Sequence, residues 1–317
     1  MSPRPLALIS FLSLTLAVAI VAPPVTAQTT HHIPMSLIGQ HPRIEVRIDG
    51  VERPLSFVVD TAAGASVVDV VLAEQLALID TTRNIANVQG AGGAATGVRV
   101  TRLLELGADA YRWKAQMLAL DLSHIAQDDG PPIDGILGND LMSRFDVRFD
   151  LPGGRLTLAP TGSLPRTQCL DNALPDRKPG LRRFAFVPAQ LGDGAQQVEA
   201  MAVVDTGAAQ TVLNRAAAQA LGLADDDARL RRRAAGTRGL STHTVDTWLY
   251  ALPRLTIAGQ PLPAREVRVS ALPVFATLGL DATPALILGV DALRDRAVDV
   301  LAGAEAVCFG PVSATAP

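Results

Sequence analysis

Cysteine is almost absent from this chain of 317 residues, in which Cys169 and Cys308 are the only two. Two cysteines are too few for a disulfide-built scaffold or for a zinc site made of cysteines. Aromatic residues are also scarce, at 4%, but 48% of the residues are hydrophobic. This apolar share is ample for packed cores and excludes a largely disordered chain, and the length suggests about two domains.

Basic charge is not in excess either, because 28 lysines and arginines stand against 31 acidic residues and the formal net charge is −3. Proteins that bind nucleic acid usually carry a strong basic excess, so we expect no nucleic-acid partner. The five histidines show none of the spacings that are typical of metal ligands. We therefore predict no metal and no cofactor.

One long apolar run extends from Leu6 to Ala22, behind a positively charged start. A pair of prolines and a few small residues up to Ala27 follow it, which is the layout of a secretory signal peptide. We predict a signal peptide over residues 1–27, with a retained membrane anchor as the alternative. After cleavage we expect no membrane contact. Arginine far outnumbers lysine, a bias typical of GC-rich bacteria, so the predicted location is the periplasm or the medium.

Export bears on the two cysteines. In an oxidising compartment the simplest expectation is one disulfide between Cys169 and Cys308, and the alternative is two separately buried thiols. A bridge would connect the C-terminal strand to the segment between the two halves of the chain.

The chain contains an internal repeat. Residues 57–68 read FVVDTAAGASVV, and residues 202–213 read AVVDTGAAQTVL. An Ile-Leu-Gly triplet occurs at residues 136–138 and again at 287–289. Two such pairs in the same order predict a duplicated unit.

Helical sequence follows each copy of the longer segment. Asp69 is predicted to cap a helix from Val70 to Leu78, and Asn214 a helix from Arg215 to Leu221. Elsewhere apolar and polar residues alternate as in β-strands, most clearly from Arg43 to Ile48.

Other predicted strands run from Val98 to Leu106 and from Val245 to Leu255, and residues 145–158 read as a β-hairpin. The class is therefore mostly β, with two similar lobes. We predict a first lobe over residues 28–160, a linker over 161–184 and a second lobe over 185–317.

The repeated loops contain the residues suited to chemistry. Each loop places an aspartate, Asp60 or Asp205, where an apolar strand turns sharply, and glycine tolerates the backbone angles of such a turn. The hydroxyl groups of Thr61 and Thr206 are expected to bond the opposite loop. Two adjacent carboxyl groups share a proton, which provides one acid and one base at a single water. This arrangement suits hydrolysis of an amide.

The sequence resembles the retropepsin-like aspartic proteases, the clan of pepsin and the retroviral proteases. The resemblance rests on Asp-Thr-Gly-Ala at residues 205–208 with Thr211, on Asp-Thr-Ala-Ala at residues 60–63 with Ser66, and on the two Ile-Leu-Gly triplets. It implies two β-barrel lobes that form a pseudo-dimer with a cleft between them. One catalytic aspartate comes from each lobe, and the triplet packs behind the catalytic loop.

The resemblance also implies that the chain functions as a monomer, that the substrate is a peptide or protein, and that a mobile hairpin covers it. Glycines suited to such a flap lie about 30 residues after each aspartate, and the alternative is an ordinary exposed hairpin. These glycines are Gly90, Gly92, Gly93, Gly236 and Gly239.

One departure from the family pattern is Ala62, which replaces the glycine that Gly207 supplies in the second loop. Its methyl group is expected to strain the turn or to push the loops apart. The main hypothesis is an aspartic endopeptidase. The alternative is a non-catalytic peptide- or ligand-binding protein on the same scaffold, which a wide separation of Asp60 and Asp205 would favour.

Overall fold

The computed structural model describes residues 29–84, 87–90, 93–123, 125, 131–173, 181, 183–192, 197–237, 244–262 and 265–313. The predicted signal peptide lies outside the described residues, as does part of the predicted linker. No helix within the described ranges is long and apolar enough to cross a membrane.

The described part of the chain is mostly β-sheet, and its helices are short. The elements of the first half are β1 (His31–Pro34), β2 (Ser36–Ile38), β3 (His41–Ile48), β4 (Leu55–Val59), β5 (Val67–Asp69), α1 (Val70–Gln75), β6 (Ile79–Asn84), β7 (Asn87–Gly90), β8 (Gly93–Thr96), β9 (Arg99–Thr101), β10 (Leu104–Ala108), β11 (Tyr111–Ala115), β12 (Leu118–Leu120), β13 (Gly135–Leu137), α2 (Asn139–Met142), β14 (Asp146–Asp150) and β15 (Arg155–Ala159).

The elements of the second half are β16 (Cys169–Asp171), β17 (Phe186–Leu191), β18 (Val198–Val204), β19 (Val212–Leu213), α3 (Arg215–Ala220), β20 (Arg231–Thr237), β21 (Val245–Leu252), β22 (Leu255–Ile257), β23 (Gln260–Leu262), β24 (Arg265–Ser270), α4 (Pro273–Thr277), β25 (Ala285–Leu288), α5 (Val290–Leu293), β26 (Ala297–Val300) and β27 (Ala306–Phe309).

The strand order shows that the two halves repeat one topology. The main sheet of the first half runs β11-β10-β3-β4-β13-β5-β12-β9-β6, and that of the second half runs β23-β22-β17-β18-β25-β19-β24-β21-β20. Strands at the same position in the two orders are equivalent strands of a duplicated unit. The centre of each sheet is a parallel pair, β4 with β13 and β18 with β25. The predicted duplication into two similar β lobes is thereby confirmed.

A third sheet joins the lobes. Its six strands run β1-β15-β14-β26-β27-β16, so three strands of the first half lie beside three strands of the second half. At its centre β14 pairs with β26. Arg148 forms a bidentate ion pair with Asp299 across this strand pair, and both N–O distances are 2.7 Å. The segment predicted as a linker contributes β16 to this sheet, so it is an integral strand as well as a connection.

The alternating pattern of β3 appears from Ile44 onward, because Ile44, Val46 and Ile48 are buried while Glu45 and Arg47 are exposed. Arg43, the first polar residue of the pattern, is buried. The predicted hairpin is also present, as β14 and β15 pair antiparallel. The two longest predicted strands are present, but neither is continuous as predicted. The first segment divides into β9 and β10, and the second into β21 and β22. The two strands of each segment pair with different neighbours.

Both predicted helix caps are present. The Asp69 carboxylate accepts a hydrogen bond from the Leu72 amide at 3.0 Å, and the Asn214 side chain accepts one from the Ala217 amide at 2.8 Å. The first helix ends at Gln75, earlier than predicted, because Ala77 adopts a positive φ of 52° that no helix continues through.

Cys169 and Cys308 are disulfide-bonded and face each other across the β16–β27 pair. The bond closes a loop with a sequence separation of 139 residues, which contains almost the whole second lobe. The bridge therefore fastens the end of the chain to the strand that precedes that lobe.

Removal of this bridge is expected to destabilise the protein. The double variant Cys169→Ser/Cys308→Ala should lose about 2–4 kcal/mol of unfolding free energy, because a long loop is no longer closed in the unfolded chain. Urea unfolding measures this loss, and reductant should lower the wild-type protein to the level of the double variant. Unfolding of the wild-type protein that reductant leaves unchanged would contradict the expectation.

Candidate active site

Asp60 and Asp205 lie at equivalent places, each directly after the strand that forms the parallel pair at the centre of its lobe. The Asp60 amide donates a hydrogen bond to the Leu137 carbonyl at 2.9 Å, and the Asp205 amide donates one to the Leu288 carbonyl at 3.0 Å. Each acceptor belongs to an Ile-Leu-Gly triplet. The carboxyl end of a buried parallel pair thus fixes the backbone of each aspartate.

The loop after each aspartate folds back on its own carboxyl group. One oxygen of Asp60 accepts hydrogen bonds from the amides of Ala62 and Ala63 at 2.7 and 3.0 Å. One oxygen of Asp205 accepts the equivalent bonds from residues 207 and 208 at 2.8 and 3.0 Å. The two loops close in the same way, so Ala62 does not disturb the first one.

The two threonines hold the loops together across the lobe junction. The Thr61 hydroxyl donates to the Val204 carbonyl at 2.7 Å and accepts from the Thr206 amide at 3.0 Å. The Thr206 hydroxyl does the reverse, donating to the Val59 carbonyl at 2.7 Å and accepting from the Thr61 amide at 3.1 Å. These four bonds, here called the threonine grip, are buried and join the lobes directly beneath the aspartates.

The grip brings the two carboxyl groups close enough for each to affect the pKa of the other. Burial raises the pKa of both groups, and the charge of Asp60 raises the pKa of Asp205 further, well above its usual value. A pair at such close range titrates as a unit and retains one shared proton far above the pH at which an exposed aspartate loses it.

The sequence model of the aspartyl protease family matches residues 44–141 and 187–292, which together make up more than half of the chain. The chain belongs to the aspartyl protease family. No curated protein sequence matches it. The two matched regions begin within β3 and β17 and end within α2 and α5, so each covers the same set of elements in its lobe.

The second loop requires glycine because it approaches Asp60 closely. A Cβ atom on Gly207 would lie 2.3 Å from the Cγ atom of Asp60, which is closer than real Cβ contacts. Neither Gly207 nor Ala62 has a positive φ. The sequence-based explanation, that the turn needs glycine for its backbone angles, is therefore wrong. Because these backbone angles are open to any residue, the first loop tolerates Ala62.

Glycine also ends both Ile-Leu-Gly triplets because the aspartate loop packs directly on it. A Cβ atom on Gly138 would lie 2.8 Å from the Ala63 carbonyl oxygen, and one on Gly289 would lie 2.6 Å from the carbonyl carbon of Gln210. The triplets thus support the loops from behind, as the resemblance implied.

Sequence analysis missed two further aspartates that support the loops. Asp140 accepts a hydrogen bond from the Ser66 hydroxyl at 2.7 Å, and Asp291 accepts one from the Thr211 hydroxyl at 2.8 Å. Both aspartates stand two residues after the glycine of a triplet, so their equivalence was visible in the repeat. The first loop has an additional anchor, because the buried Asn139 amide donates to the Thr61 carbonyl at 2.6 Å.

Three of the five predicted flap glycines lie in described antiparallel strand pairs. Gly90 and Gly93 face each other at the end of the β7–β8 hairpin, while Gly92 lies outside the described residues. Gly236 lies within β20, where the register with β21 shifts and its φ is 60°. Gly239 also lies outside the described residues. A flap role for these hairpins stays a prediction.

No group of three or more potential ligand side chains is arranged for a metal ion among the residues that the structure describes.

Loss of the Thr206 hydroxyl is expected to weaken the lobe junction. Thr206→Val leaves the Thr61 amide and the Val59 carbonyl buried without a partner, which should lower the unfolding free energy by about 2–5 kcal/mol. Thr206→Ser retains the hydroxyl and should lose about 1 kcal/mol, the value of one buried methyl group. Urea unfolding of the two variants tests this, and equal losses would contradict a role for the grip.

Proposed function

We propose that this member of the aspartyl protease family is an endopeptidase that hydrolyses peptide bonds with a water activated between Asp60 and Asp205. The observation that carries the proposal is the threonine grip, which holds the loops of Asp60 and Asp205 side by side at the lobe junction. A pair that shares one proton offers a base and an acid to the same substrate at once. The separation of the two aspartates that would favour a binding protein is absent from this site.

The water between the carboxyl groups is the nucleophile. The ionised carboxylate accepts a proton from the water as its oxygen attacks the carbonyl carbon of the scissile bond, and the protonated partner donates its proton to the carbonyl oxygen. In the tetrahedral intermediate, the first carboxyl group donates its newly gained proton to the amide nitrogen. The C–N bond then breaks, and a hydroxyl proton of the intermediate returns to the second carboxylate. The pair again holds one proton, and no covalent enzyme intermediate forms.

Four residues serve in this proposal as loop support. Thr61 and Thr206 fix the distance between the loops through the grip. Ala62 and Gly207 donate backbone hydrogen bonds that orient one oxygen of each aspartate. The opposite oxygen of each carboxyl group remains available to the water and to its partner.

The working pH follows from the shared proton. The pair acts in its singly protonated form, which exists between its two macroscopic pKa values. Because burial raises the pKa of both aspartates, this form extends toward neutral pH. The proposal also includes a peptide or protein substrate, a monomeric state provided by the fused lobes, and a periplasmic or secreted location.

Cleavage of a mixed peptide library tests the proposal. The purified protein is incubated with the library between pH 3 and pH 8, and new peptide termini are identified by mass spectrometry. We expect internal cleavage that the double variant Asp60→Asn/Asp205→Asn lacks at every pH.

Peptide binding without cleavage by the folded wild-type protein would refute the endopeptidase proposal and support the binding protein. Cleavage that persists in the double variant would show that the activity comes from a contaminant or from another site.

A further inference from the structure

The two lobes differ at the residue that follows the glycine of each Ile-Leu-Gly triplet. This residue is Asn139 in the first lobe and Val290 in the second. The Asn139 amide donates a hydrogen bond to the Ala63 carbonyl at 2.8 Å, and the Val290 amide donates the equivalent bond to residue 208 at the same distance. Both side chains are buried. The duplicated fold therefore places one side chain behind each aspartate loop, and only the first of them is polar.

The Asn139 side chain binds the backbone of the first loop. Its Nδ2 atom donates a hydrogen bond to the Thr61 carbonyl at 2.6 Å. Since a carbonyl oxygen only accepts hydrogen bonds, the side-chain atom that faces it is the amide nitrogen and not the amide oxygen. Valine has no polar side-chain atom, so Val290 cannot form the equivalent bond with the Thr206 carbonyl.

A chain of two hydrogen bonds connects Asn139 to Asp60. The Thr61 carbonyl, which accepts from Asn139, and the N–H group of Ala62 belong to one peptide unit. That N–H group donates to the Asp60 carboxyl group at 2.7 Å. Hydrogen bonds in such a chain polarise one another, so the bond at the carbonyl makes the N–H group a stronger donor. A stronger donor favours the ionised form of the carboxyl group that accepts from it.

The second loop has the corresponding bond at its carboxyl group but not the bond at the carbonyl. Gly207 donates its amide to Asp205 at 2.8 Å, and the peptide unit that contains this amide receives no hydrogen bond from Val290. The other bonds of the loops are matched, because each loop bonds its own carboxyl group twice and the threonine grip is reciprocal. The Asn139 donor therefore makes two matched supports unequal.

We propose that Asn139 is a positioning residue that makes Asp60 the ionised member of the pair and leaves the shared proton on Asp205. The catalytic consequence rests on the proposed function. In that reaction Asp60 accepts the proton of the water, and Asp205 donates its proton to the carbonyl oxygen of the scissile bond. Both carboxyl groups remain necessary, because one accepts a proton while the other donates one. Asn139 is 3% exposed and lies behind the loop, so it acts through Asp60 and not on the substrate.

The electrostatics of the pair agree with this assignment. Burial raises the pKa of Asp60, and the backbone bonds from Ala62 and Ala63 oppose that rise. Burial also raises the pKa of Asp205, and the charge of Asp60 raises it further, well above its usual value. The group that keeps the proton to higher pH is therefore Asp205.

Other titratable side chains around the pair are retained in every variant compared below. Asp140 and Asp291 lie behind the two loops and bind them in the same way, at 2.7 and 2.8 Å. His41 begins β3, which pairs with the strand before Asp60, and its pKa is lowered by burial and by the charge of Arg43. A difference between the variants therefore reports the exchanged residue.

Two substitutions exchange the residues of the lobes. Asn139→Val gives the first lobe the residue of the second and removes the donor. Val290→Asn gives the second lobe the amide of the first, and the double variant moves the donor from one loop to the other. Urea unfolding checks each variant. Asn139→Leu, which is closer to asparagine in shape and also supplies no donor, replaces Asn139→Val if the latter does not fold.

Carbon-13 NMR of the aspartate carboxyl groups measures which group holds the proton, in the protein without substrate. The two signals are assigned with Asp60→Asn and Asp205→Asn and followed between pH 3 and pH 9. In the wild-type protein we expect the Asp60 carbon to reach its ionised shift at lower pH than the Asp205 carbon. Asn139→Val should bring the two titrations closer together, and the double variant should reverse their order. Titrations that coincide in the wild-type protein, or that the folded Asn139 variant leaves unchanged, would overturn the proposal.

Kinetics supplies the catalytic measurement. The acid limb of kcat/KM for one peptide from the library reports loss of the first proton from the pair. In Asn139→Val this limb should move to higher pH by about 0.5 unit, because the hydrogen bond to the ionised carboxyl group is weaker, and KM should stay unchanged. A limb that does not move would contradict the proposal.

The two measurements separate this inference from the proposed function. If the Asp60 carbon ionises first and Asn139→Val narrows the difference, but no peptide is cleaved, the proposed function fails and the proton assignment stands. If peptides are cleaved and the two carbons of the wild-type protein ionise together, the assignment is overturned and the proposed function stands.

Discussion

Asp60→Asn and Asp205→Asn are each expected to lower kcat/KM by about 10³- to 10⁴-fold, because an amide can neither accept nor supply the shared proton. The two carboxyl groups act as one unit, so the double variant should be no worse than either single variant. Steady-state kinetics on one peptide from the library measures this. Asp226→Asn, at an exposed aspartate, removes the same charge elsewhere and should leave kcat/KM unchanged.

The same substitutions are expected to stabilise the fold at neutral pH. Because the folded pair has raised pKa values, the native state binds more protons than the unfolded chain as the pH rises above the usual aspartate value of 3.8. Stability from this source is complete below that value and is lost as the pH rises through the folded pKa values. Asp205→Asn removes this loss, so its thermal midpoint should exceed that of the wild-type protein at pH 7 and approach it at pH 3.

Loss of activity in only one of the single variants would contradict the symmetrical pair. If Asp205→Asn were inactive and Asp60→Asn remained active, the first lobe would have no catalytic role and the proton transfers assigned to Asp60 would be wrong. A thermal midpoint for Asp205→Asn below the wild-type value at pH 7 would show that the carboxyl group stabilises the junction more than its burial costs.

Gly207→Ala and Ala62→Gly are expected to have unequal effects. The new Cβ atom on Gly207 would lie 2.3 Å from the Cγ atom of Asp60, so the loop or the carboxyl group must move by about an ångström. A displacement of that size can cost about 10²-fold in rate. Ala62→Gly removes a methyl group that the first loop already accommodates, and kcat/KM should stay within about threefold of the wild-type value.

The two variants control for each other. Gly207→Ala gives the second loop the residue of the first, and Ala62→Gly gives the first loop the residue of the second. Activity is measured on the same peptide, and folding is checked from the urea midpoint. A Gly207→Ala variant as active as the wild-type protein would contradict the close approach of the second loop to Asp60. A large gain for Ala62→Gly would show that the methyl group does hold the first loop away from its productive position.

The sequence was sufficient to predict the duplicated β fold and to single out the two aspartates. Both inferences depend on local signals, because a strand, a short polar loop and a helix cap recur in the same order in each half. Residues adjacent in the sequence determine each of these three elements. The caps at Asp69 and Asn214 are correct for this reason. The Ile-Leu-Gly triplets were found in the same way.

Strand ends and the role of the linker were beyond the sequence. The pattern from Val98 to Leu106 is continuous in the sequence, but β9 and β10 pair with different strands. Likewise, nothing local predicts that β16 pairs with β27, more than a hundred residues away, in the sheet that joins the lobes. Pairing partners of this kind are chosen by packing of the whole chain.

At the candidate site, the sequence by itself determined the chemical groups: two aspartates, each followed by a threonine, and one loop with alanine in place of glycine. The tertiary structure decided how they meet. It placed the threonines in a reciprocal grip and brought the two carboxyl groups close enough for each to affect the pKa of the other. It also showed that Gly207 is needed for close approach. All these contacts cross the lobe junction, and residues so far apart in sequence meet only because the two lobes come together there.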